Sequence, residues 1–206
     1  MKALFIKGMT VKHTAKMESM VSFSTSNLVN TFCEKMKTIE GSICKRCFAN
    51  NQLKMQPSTA KKLAANDWVK YDVIKKKDAP FINAAYFRFE AFGELSTMQQ
   101  LENYMTIAKN NKHCNFTLFT KRADLLRAFS GKKPTNFLIM LSSPMINKQA
   151  EADGISDLIH GVFTVYDKKC VKDKEIKINC GSKKCIDCLL CYKKSKKLRV
   201  INELLK

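Results

Sequence analysis

Glycine and proline are scarce in this chain of 206 residues, with 7 and 4 copies respectively. Collagen-like sequences and flexible linkers need far more of both, so these classes are excluded. Acidic residues are also few: Lys and Arg number 37 against 18 Asp and Glu, which gives a net charge of +19. The sequence contains no run of about 18 apolar residues, which excludes a membrane-spanning helix by pattern. The 45% of hydrophobic residues indicates a packed core.

Motifs of several common enzyme classes are missing as well. The sequence has no glycine-rich phosphate loop, no nucleophile elbow and no paired-carboxylate motif. Its three histidines, His13, His113 and His160, share no spacing with one another or with an acidic residue. Nucleotide binding by the usual loop is therefore not expected.

The positive charge has two interpretations. It attracts phosphates, so a polyanion such as nucleic acid is a candidate partner. Codon bias in an AT-rich genome also enriches Lys, and some Lys could balance metal-bound thiolates. The apolar stretch Leu4–Ile6 is too short for a secretory signal, so we expect a cytoplasmic protein. Since disulfides do not persist in the cytosol, the nine cysteines favour metal binding.

Strand-like and helix-like segments alternate along the chain. Helical spacing is clearest from Met98 to Ala108, after a capping-box pattern of Ser96 and Gln99. Apolar residues near the C-terminus, from Val200 to Leu205, also have helical spacing. Five segments have the pattern of strands, namely residues 21–25, 85–92, 116–120, 136–141 and 161–166.

This alternation predicts an α/β fold, specifically a partial or open parallel α/β barrel. A complete eight-unit barrel takes about 250 residues, more than this chain has. No linker divides the sequence, so we predict one domain over residues 1–206. Within it, residues 20–167 would form the barrel-like core, and residues 168–206 a cysteine-rich, basic C-terminal appendix.

Six cysteines form two clusters, and they are the predicted metal ligands: Cys44, Cys47, Cys180, Cys185, Cys188 and Cys191. Three cysteines at Cys-x-x-Cys-x-x-Cys spacing can supply three ligands to an iron–sulfur cluster, with a fourth from elsewhere. Zinc is the alternative, held by one Cys-x-x-Cys pair from each cluster, but this arrangement leaves two cysteines unused. A 4Fe–4S cluster is therefore favoured. Both arrangements require the two cysteine clusters to meet in space.

The order of these landmarks resembles the phage gene product eighty-eight domain family. The shared elements include the strand from Ser22 to Asn27, the Cys44-x-x-Cys47-Phe48-Ala49 motif, the segment from Arg88 to Glu94, Thr120-Lys121, and the terminal series from Cys180 to Tyr192. The resemblance spans residues 20–192. It implies a phage-encoded protein that acts in the cytoplasm of the bacterial host.

A second resemblance is to radical S-adenosylmethionine enzymes, which are partial α/β barrels. Gly93-Glu94 after the second clear strand is similar to their Gly-Gly-Glu element, and Cys44 and Cys47 follow the first strand as their cluster cysteines do. Their three-cysteine loop would need a cysteine at position 40, which is Glu40. The resemblance therefore favours a structural or redox cluster over S-adenosylmethionine cleavage.

Polar residues at the carboxyl ends of the predicted strands are the remaining site candidates, because ligands of parallel α/β folds bind there. Glu94 and Lys121 are the catalytic candidates, although Glu94 could equally stabilise a helix dipole and Lys121 could be a solvated cation. Arg88 and Glu90 could instead form an ion pair on one strand face. The candidate cofactor-binding residues are Asn27, Arg88, Glu90 and Gly93.

The basic run from Tyr192 to Arg199 resembles a nucleic-acid contact in which Tyr192 stacks on a base.

Overall fold

The computed structural model describes residues 1–10, 13 and 15–206. In this part of the chain, six parallel strands form one sheet and follow one another in chain order, β1-β2-β3-β4-β5-β6. β1 and β6 are its two edges, so the sheet is not closed. The strands are β1 Val21–Phe23, β2 Tyr86–Phe89, β3 Asn115–Thr120, β4 Phe137–Ser142, β5 Gly161–Tyr166 and β6 Arg199–Leu204.

Helices connect these strands. The α-helices are α1 Lys2–Gly8, α2 Thr31–Thr38, α3 Phe48–Met55, α4 Pro57–Ala64, α5 Met98–Asn110, α6 Ala123–Ala128, α7 Lys168–Asp173 and α8 Cys185–Cys188. Short 3-10 turns occur at Ala15–Met17, Ile43–Arg46, Asp67–Lys70 and Lys76–Asp78. Of the helices in the described ranges, none combines the length and the apolar character needed to cross a membrane.

The two faces of the sheet differ because successive side chains of a strand point to opposite sides. On one face, Phe87 and Phe89 are fully buried in the main hydrophobic core. The Phe89 ring stacks on Tyr104 of α5, with 4.0 Å between ring centroids. On the other face, Arg88 and Thr117 are paired neighbours on β2 and β3. Segments from both ends of the chain cover this second face, and the candidate metal centre lies there.

The predicted α/β class and parallel sheet are confirmed, but the C-terminal helix is wrong. Residues 199–204 form β6, which pairs with β5 from Gly161–Arg199 to Tyr166–Leu204. The spacing of a few apolar residues fits a helix and a strand equally well, and pairing with β5 decides between them. The segment predicted as an appendix therefore contributes the last strand of the sheet.

The beginning of α5 lies one residue later than its sequence pattern predicts. Thr97, rather than Ser96, is the N-cap, and its hydroxyl accepts a hydrogen bond from the Gln100 backbone N–H at 3.1 Å. The Gln100 side chain accepts in return from the Ser96 backbone N–H at 2.8 Å. The arrangement is a variant of the capping box, because the Gln100 side chain returns to the N–H of Ser96 and not to that of the N-cap Thr97.

Thr97→Ala is expected to destabilise the protein by about 1 kcal/mol or more, because it removes the N-cap hydrogen bond of α5 and the hydrogen bond that the Thr97 hydroxyl donates to the Lys70 carbonyl. Chemical denaturation followed by circular dichroism measures this loss. Thr106→Ala on the same helix is the control, since Thr106 lies in the helix interior and caps nothing. Equal losses in the two variants would show that the cap does not stabilise α5.

Candidate functional site

The segment between α7 and β6 carries the C-terminal cysteines. Cys180 lies beside β6, where its backbone N–H donates to the Asn202 carbonyl at 3.1 Å. Cys185 and Cys188 begin and end the single turn of α8. Leu189 then adopts a left-handed backbone conformation, with φ of 50°, and ends the helix. The chain thereby turns back and carries Cys191 toward the sheet.

These four cysteines line one cavity of about 190 Å³. Its other lining residues include Lys16 from the N-terminal segment and Ile201 from β6. The Thr117 hydroxyl donates to the Cys191 carbonyl at 3.1 Å, which fixes the loop against β3. Cys44 and Cys47 are not among the lining residues. The structure therefore groups Cys180, Cys185, Cys188 and Cys191, and places the other predicted pair elsewhere.

Two cations lie near the four thiols. Arg88 stacks over the Phe119 ring, with 4.3 Å between the guanidinium carbon and the ring centroid. Burial raises the pKa of Cys191 to about 12 and the Cys180 thiol raises it further, whereas Arg88 lowers it. Burial also raises the pKa of Cys185, against the effects of Arg88 and Lys16. Of the two cations, Lys16 lines the cavity and is paired with Glu203 at 2.5 Å, whereas Arg88 lies outside the lining.

The cysteines line this cavity without converging on a point. Over residues 1–10, 13 and 15–206, no three Cys, His, Asp or Glu side chains are arranged so that they could hold one metal ion. All nine cysteines are free thiols. The donor set of four thiols fits a four-thiolate centre, and ligation would require the side chains to close on the metal.

Cys44 and Cys47 lie at the carboxyl end of the sheet. Cys44 belongs to the turn Ile43–Arg46 that follows α2, and Cys47 comes directly after this turn. The Ser42 hydroxyl accepts from the Cys44 backbone N–H at 3.1 Å and donates to the Pro144 carbonyl at 3.1 Å, so this turn is tied to the loop after β4. Cys47 is the N-cap of α3. Its sulfur accepts from the side-chain amide of Asn27 at 3.7 Å, which places that predicted residue beside a thiol.

Glu94 and Lys121 belong to the same end of the sheet. The buried Glu94 carboxylate accepts from the Thr120 hydroxyl, from the Leu95 N–H at 2.9 Å and from the Lys121 N–H at 3.0 Å. The Lys121 ammonium lies 3.8 Å from the same carboxylate. Four donors therefore surround Glu94, and they join the loop after β2 to the end of β3. This arrangement gives Glu94 a structural role.

Cys33 lies near Cys44, Cys47 and Glu94, and the sequence did not predict this. The pKa of Cys33 is raised to about 12, mainly by burial and then by the charges of Glu94 and Cys44. The charge of Lys121 acts in the opposite direction. Burial of Cys33 agrees with the prediction of a buried thiol in the apolar part of α2. Its proximity to Cys44 gives no sequence signal, because it depends on how α2 packs over the strand ends.

The predicted pairing of Arg88 with Glu90 is wrong. Glu90 lies just after β2 with a left-handed φ of 54°, and this turns its side chain away from the Arg88 face. Its carboxylate accepts from the Thr25 N–H at 3.1 Å, from Gln100 Nε2 at 2.8 Å and from the Tyr104 hydroxyl. Burial raises the pKa of Glu90 to about 7.

Gly93 packs directly against this buried carboxyl. A Cβ at position 93 would lie 1.8 Å from Glu90 Oε2 and 2.8 Å from the Thr25 carbonyl oxygen. Glycine is therefore required here by close packing. Of the four predicted cofactor-binding residues, Asn27 contacts a strand-end thiol, Arg88 lies by the C-terminal cysteines, and Glu90 and Gly93 form a buried packing unit.

The predicted stacking role of Tyr192 is also wrong. Tyr192 is only 2% exposed. Its ring meets Tyr86 edge to face, with 6.2 Å between centroids. A nucleic-acid base therefore has no access to this ring, although the lysines that follow it are exposed.

Comparison with known proteins finds no matching family model, no similar curated protein and no similar solved structure. The resemblances to the phage family and to radical S-adenosylmethionine enzymes therefore stay predictions. The function must be argued from the geometry of the two cysteine groups and from the distribution of charge.

Proposed function

We propose that this protein is a phage-encoded, cytoplasmic iron–sulfur protein whose cluster is held by Cys180, Cys185, Cys188 and Cys191. The observation that supports the proposal is the single cavity that these four side chains line. In this proposal Cys44 and Cys47 are not ligands of that cluster. They form a separate thiol pair at the strand ends.

The spacing of the cysteines and the surroundings of the cavity support iron and sulfide over zinc. Three cysteines at Cys-x-x-Cys-x-x-Cys spacing can supply three ligands to an iron–sulfur cluster. Cys180 adds a fourth thiol to the same cavity. Apolar lining residues, among them Leu190 and Ile201, would limit access of water to the cluster.

The cluster would also have a structural role. Its ligands lie beside β6 at Cys180, in α8 at Cys185 and Cys188, and against β3 at Cys191. Binding energy of a metal centre in such a loop contributes to folding. A bound cluster would therefore hold the C-terminal segment against the sheet face that carries Arg88.

The positive surface is the second part of the proposal. A net charge of +19 favours a polyanionic partner such as nucleic acid, since duplex DNA carries one negative charge per about 1.7 Å of its axis. The exposed lysines of the run after Tyr192 contribute to this surface. In this reading the protein is a binding protein with a structural cluster.

Anaerobic purification followed by metal and sulfide analysis tests the first part. We expect a brown protein with broad visible absorption, and with iron and acid-labile sulfide in equal amounts. A colourless protein loaded with zinc would show that the four thiols hold zinc and not an iron–sulfur cluster. A protein that retains neither metal, under conditions in which the fold is intact, would overturn the proposal.

An enzyme is the second candidate function, and one observation favours it. Cys33, Cys44 and Cys47 lie with Glu94 and Lys121 at the carboxyl end of a parallel sheet, where α/β enzymes place their sites. This candidate predicts reductive cleavage of S-adenosylmethionine by the reduced protein, with Glu94 and Lys121 in the pocket. Product analysis by chromatography tests it, and Glu94→Gln with unchanged turnover would remove Glu94 from the mechanism.

A further inference from the structure

A second cavity lies at the amino ends of the strands, away from the strand-end thiols. Its volume is about 480 Å³, and it is open to solvent. Lys133 and Thr135 lie just before β4, and His160 lies just before β5. The remaining lining residues are Gly131, Asp157 and Leu158.

Cations from two segments lie at this cavity or beside it. Lys133 donates to the Phe137 carbonyl at 3.0 Å, and the guanidinium of Arg199, the first residue of β6, donates to the Lys194 carbonyl at 3.2 Å. The Arg199 backbone N–H donates to the His160 carbonyl at 3.0 Å, which places the beginning of β6 beside His160. Lys194 and Arg199 belong to the basic run after Tyr192, so the fold brings part of that run to the cavity.

Within the described ranges, Lys133, Lys194 and Arg199 form no ion pair with a carboxylate. Asp157 is the one carboxylate among the lining residues, and it is exposed at the rim. His160 Nδ1 is buried and has no hydrogen-bond partner in the described part of the chain.

Burial and the neighbouring positive charges both disfavour the protonated forms of Lys133 and His160. Burial, followed by the charge of Lys194, lowers the pKa of Lys133 to about 8. Burial, followed by Lys133 and Arg199, lowers the pKa of His160 to about 4. An anion in the cavity would relieve this repulsion and would accept hydrogen bonds from the same groups.

We propose that the cavity formed by Lys133 and His160, with Lys194 and Arg199 beside it, binds a backbone phosphate of nucleic acid. The inference rests on the polyanion part of the proposed function and gives it a location. Duplex DNA carries one charge per about 1.7 Å of its axis, whereas an acidic peptide carries at most one charge per about 3.3 Å. The denser polymer suits a cavity beside the end of a run that holds five cations between residues 193 and 199.

The test measures binding of a fluorescently labelled DNA duplex by anisotropy over a range of KCl concentrations. The variant is Lys133→Gln with Lys194→Gln, and the matched control is Lys168→Gln with Lys169→Gln. The control lysines are exposed and follow β5 at the opposite end of the sheet. Both variants lose the same charge.

Loss of two phosphate contacts is expected to reduce the slope of log K against log[KCl] by about 1.8. If the variant and the unmodified protein bind DNA equally at 1 M KCl, the variant then binds it roughly 60-fold more weakly than the unmodified protein at 0.1 M KCl. Lys194→Gln alone changes only an exposed side chain, so it cannot fail through misfolding, and about half of the slope change is expected. The control variant should retain the slope of the unmodified protein.

The possible outcomes separate this site from the wider proposal. Equal losses of slope in the variant and the control would overturn the site and leave a general attraction to DNA. No salt dependence in the unmodified protein would overturn the polyanion partner and the site together, while the metal centre would be unaffected. Competition by polyglutamate as strong as that by DNA, at equal charge, would overturn the assignment to phosphate.

Discussion

Replacement of Cys185 and Cys188 by serine is expected to abolish metal retention and to release the C-terminal loop from the sheet. Both side chains line the cysteine cavity, and each would supply one thiolate of the proposed cluster. In zinc-finger peptides a structural metal contributes about 10–16 kcal/mol of apparent binding energy, which is also folding energy. Metal content per chain and the visible spectrum measure the first effect. Faster amide hydrogen exchange over residues 180–198 measures the second.

The matched control replaces Cys44 and Cys47 by serine. It removes the same number of thiols with the same spacing, but from a turn that does not line the cavity. We expect the visible spectrum of the C-terminal cluster to survive in this variant. Loss of the spectrum in both variants would instead support one centre shared between the two cysteine clusters. An unchanged metal content in the Cys185 and Cys188 variant would overturn the ligand assignment.

The sheet could be predicted from the sequence because most of its strands have a clear local signal. Residues 137–142 form a continuous apolar strand that is buried along its whole length. Residues 86–89 alternate between buried and half-buried positions. β6 is different because Val200 is exposed and only Ile201 is deeply buried, so its pattern does not separate a strand from a helix. Pairing with β5 determines its conformation, and pairing is not a property of the local sequence.

The candidate sites were less predictable for a geometric reason. The spacing of Cys185, Cys188 and Cys191 predicts that these thiols lie together, because α8 and the following turn place them at short range. It does not predict whether Cys180 or a thiol of the first cysteine cluster joins them. That depends on the course of the loop beside β6, which places Cys180 at the cavity rather than Cys44. The positive φ of Glu90 likewise has no sequence signal, since left-handed backbone is uncommon for residues other than glycine.

Glu90 is expected to make the protein less stable as the pH rises from 5 to 8. Its pKa is about 7 in the folded protein, against 4.5 for an unperturbed glutamate, because burial disfavours the charged carboxylate. The folded state therefore keeps a proton that the unfolded state has already lost. This contribution is fully present below pH 4.5 and is lost as the pH rises through 7. A shift of this size corresponds to about 3 kcal/mol.

Denaturant unfolding at a series of pH values measures this effect when the protein is compared with Glu90→Gln. The amide keeps the shape of the protonated carboxyl and does not titrate, so the free energy of unfolding of the variant should lack the decline between pH 5 and 8. Histidines with lowered pKa values, His13 and His160, change stability in the opposite direction over part of this range, and they do so in both proteins. The difference between the two curves therefore isolates Glu90. Glu102→Gln, an exposed change on the same α5 that carries Tyr104, should leave the decline intact. If Glu90→Gln retains the full decline, the buried carboxyl is not the group that titrates.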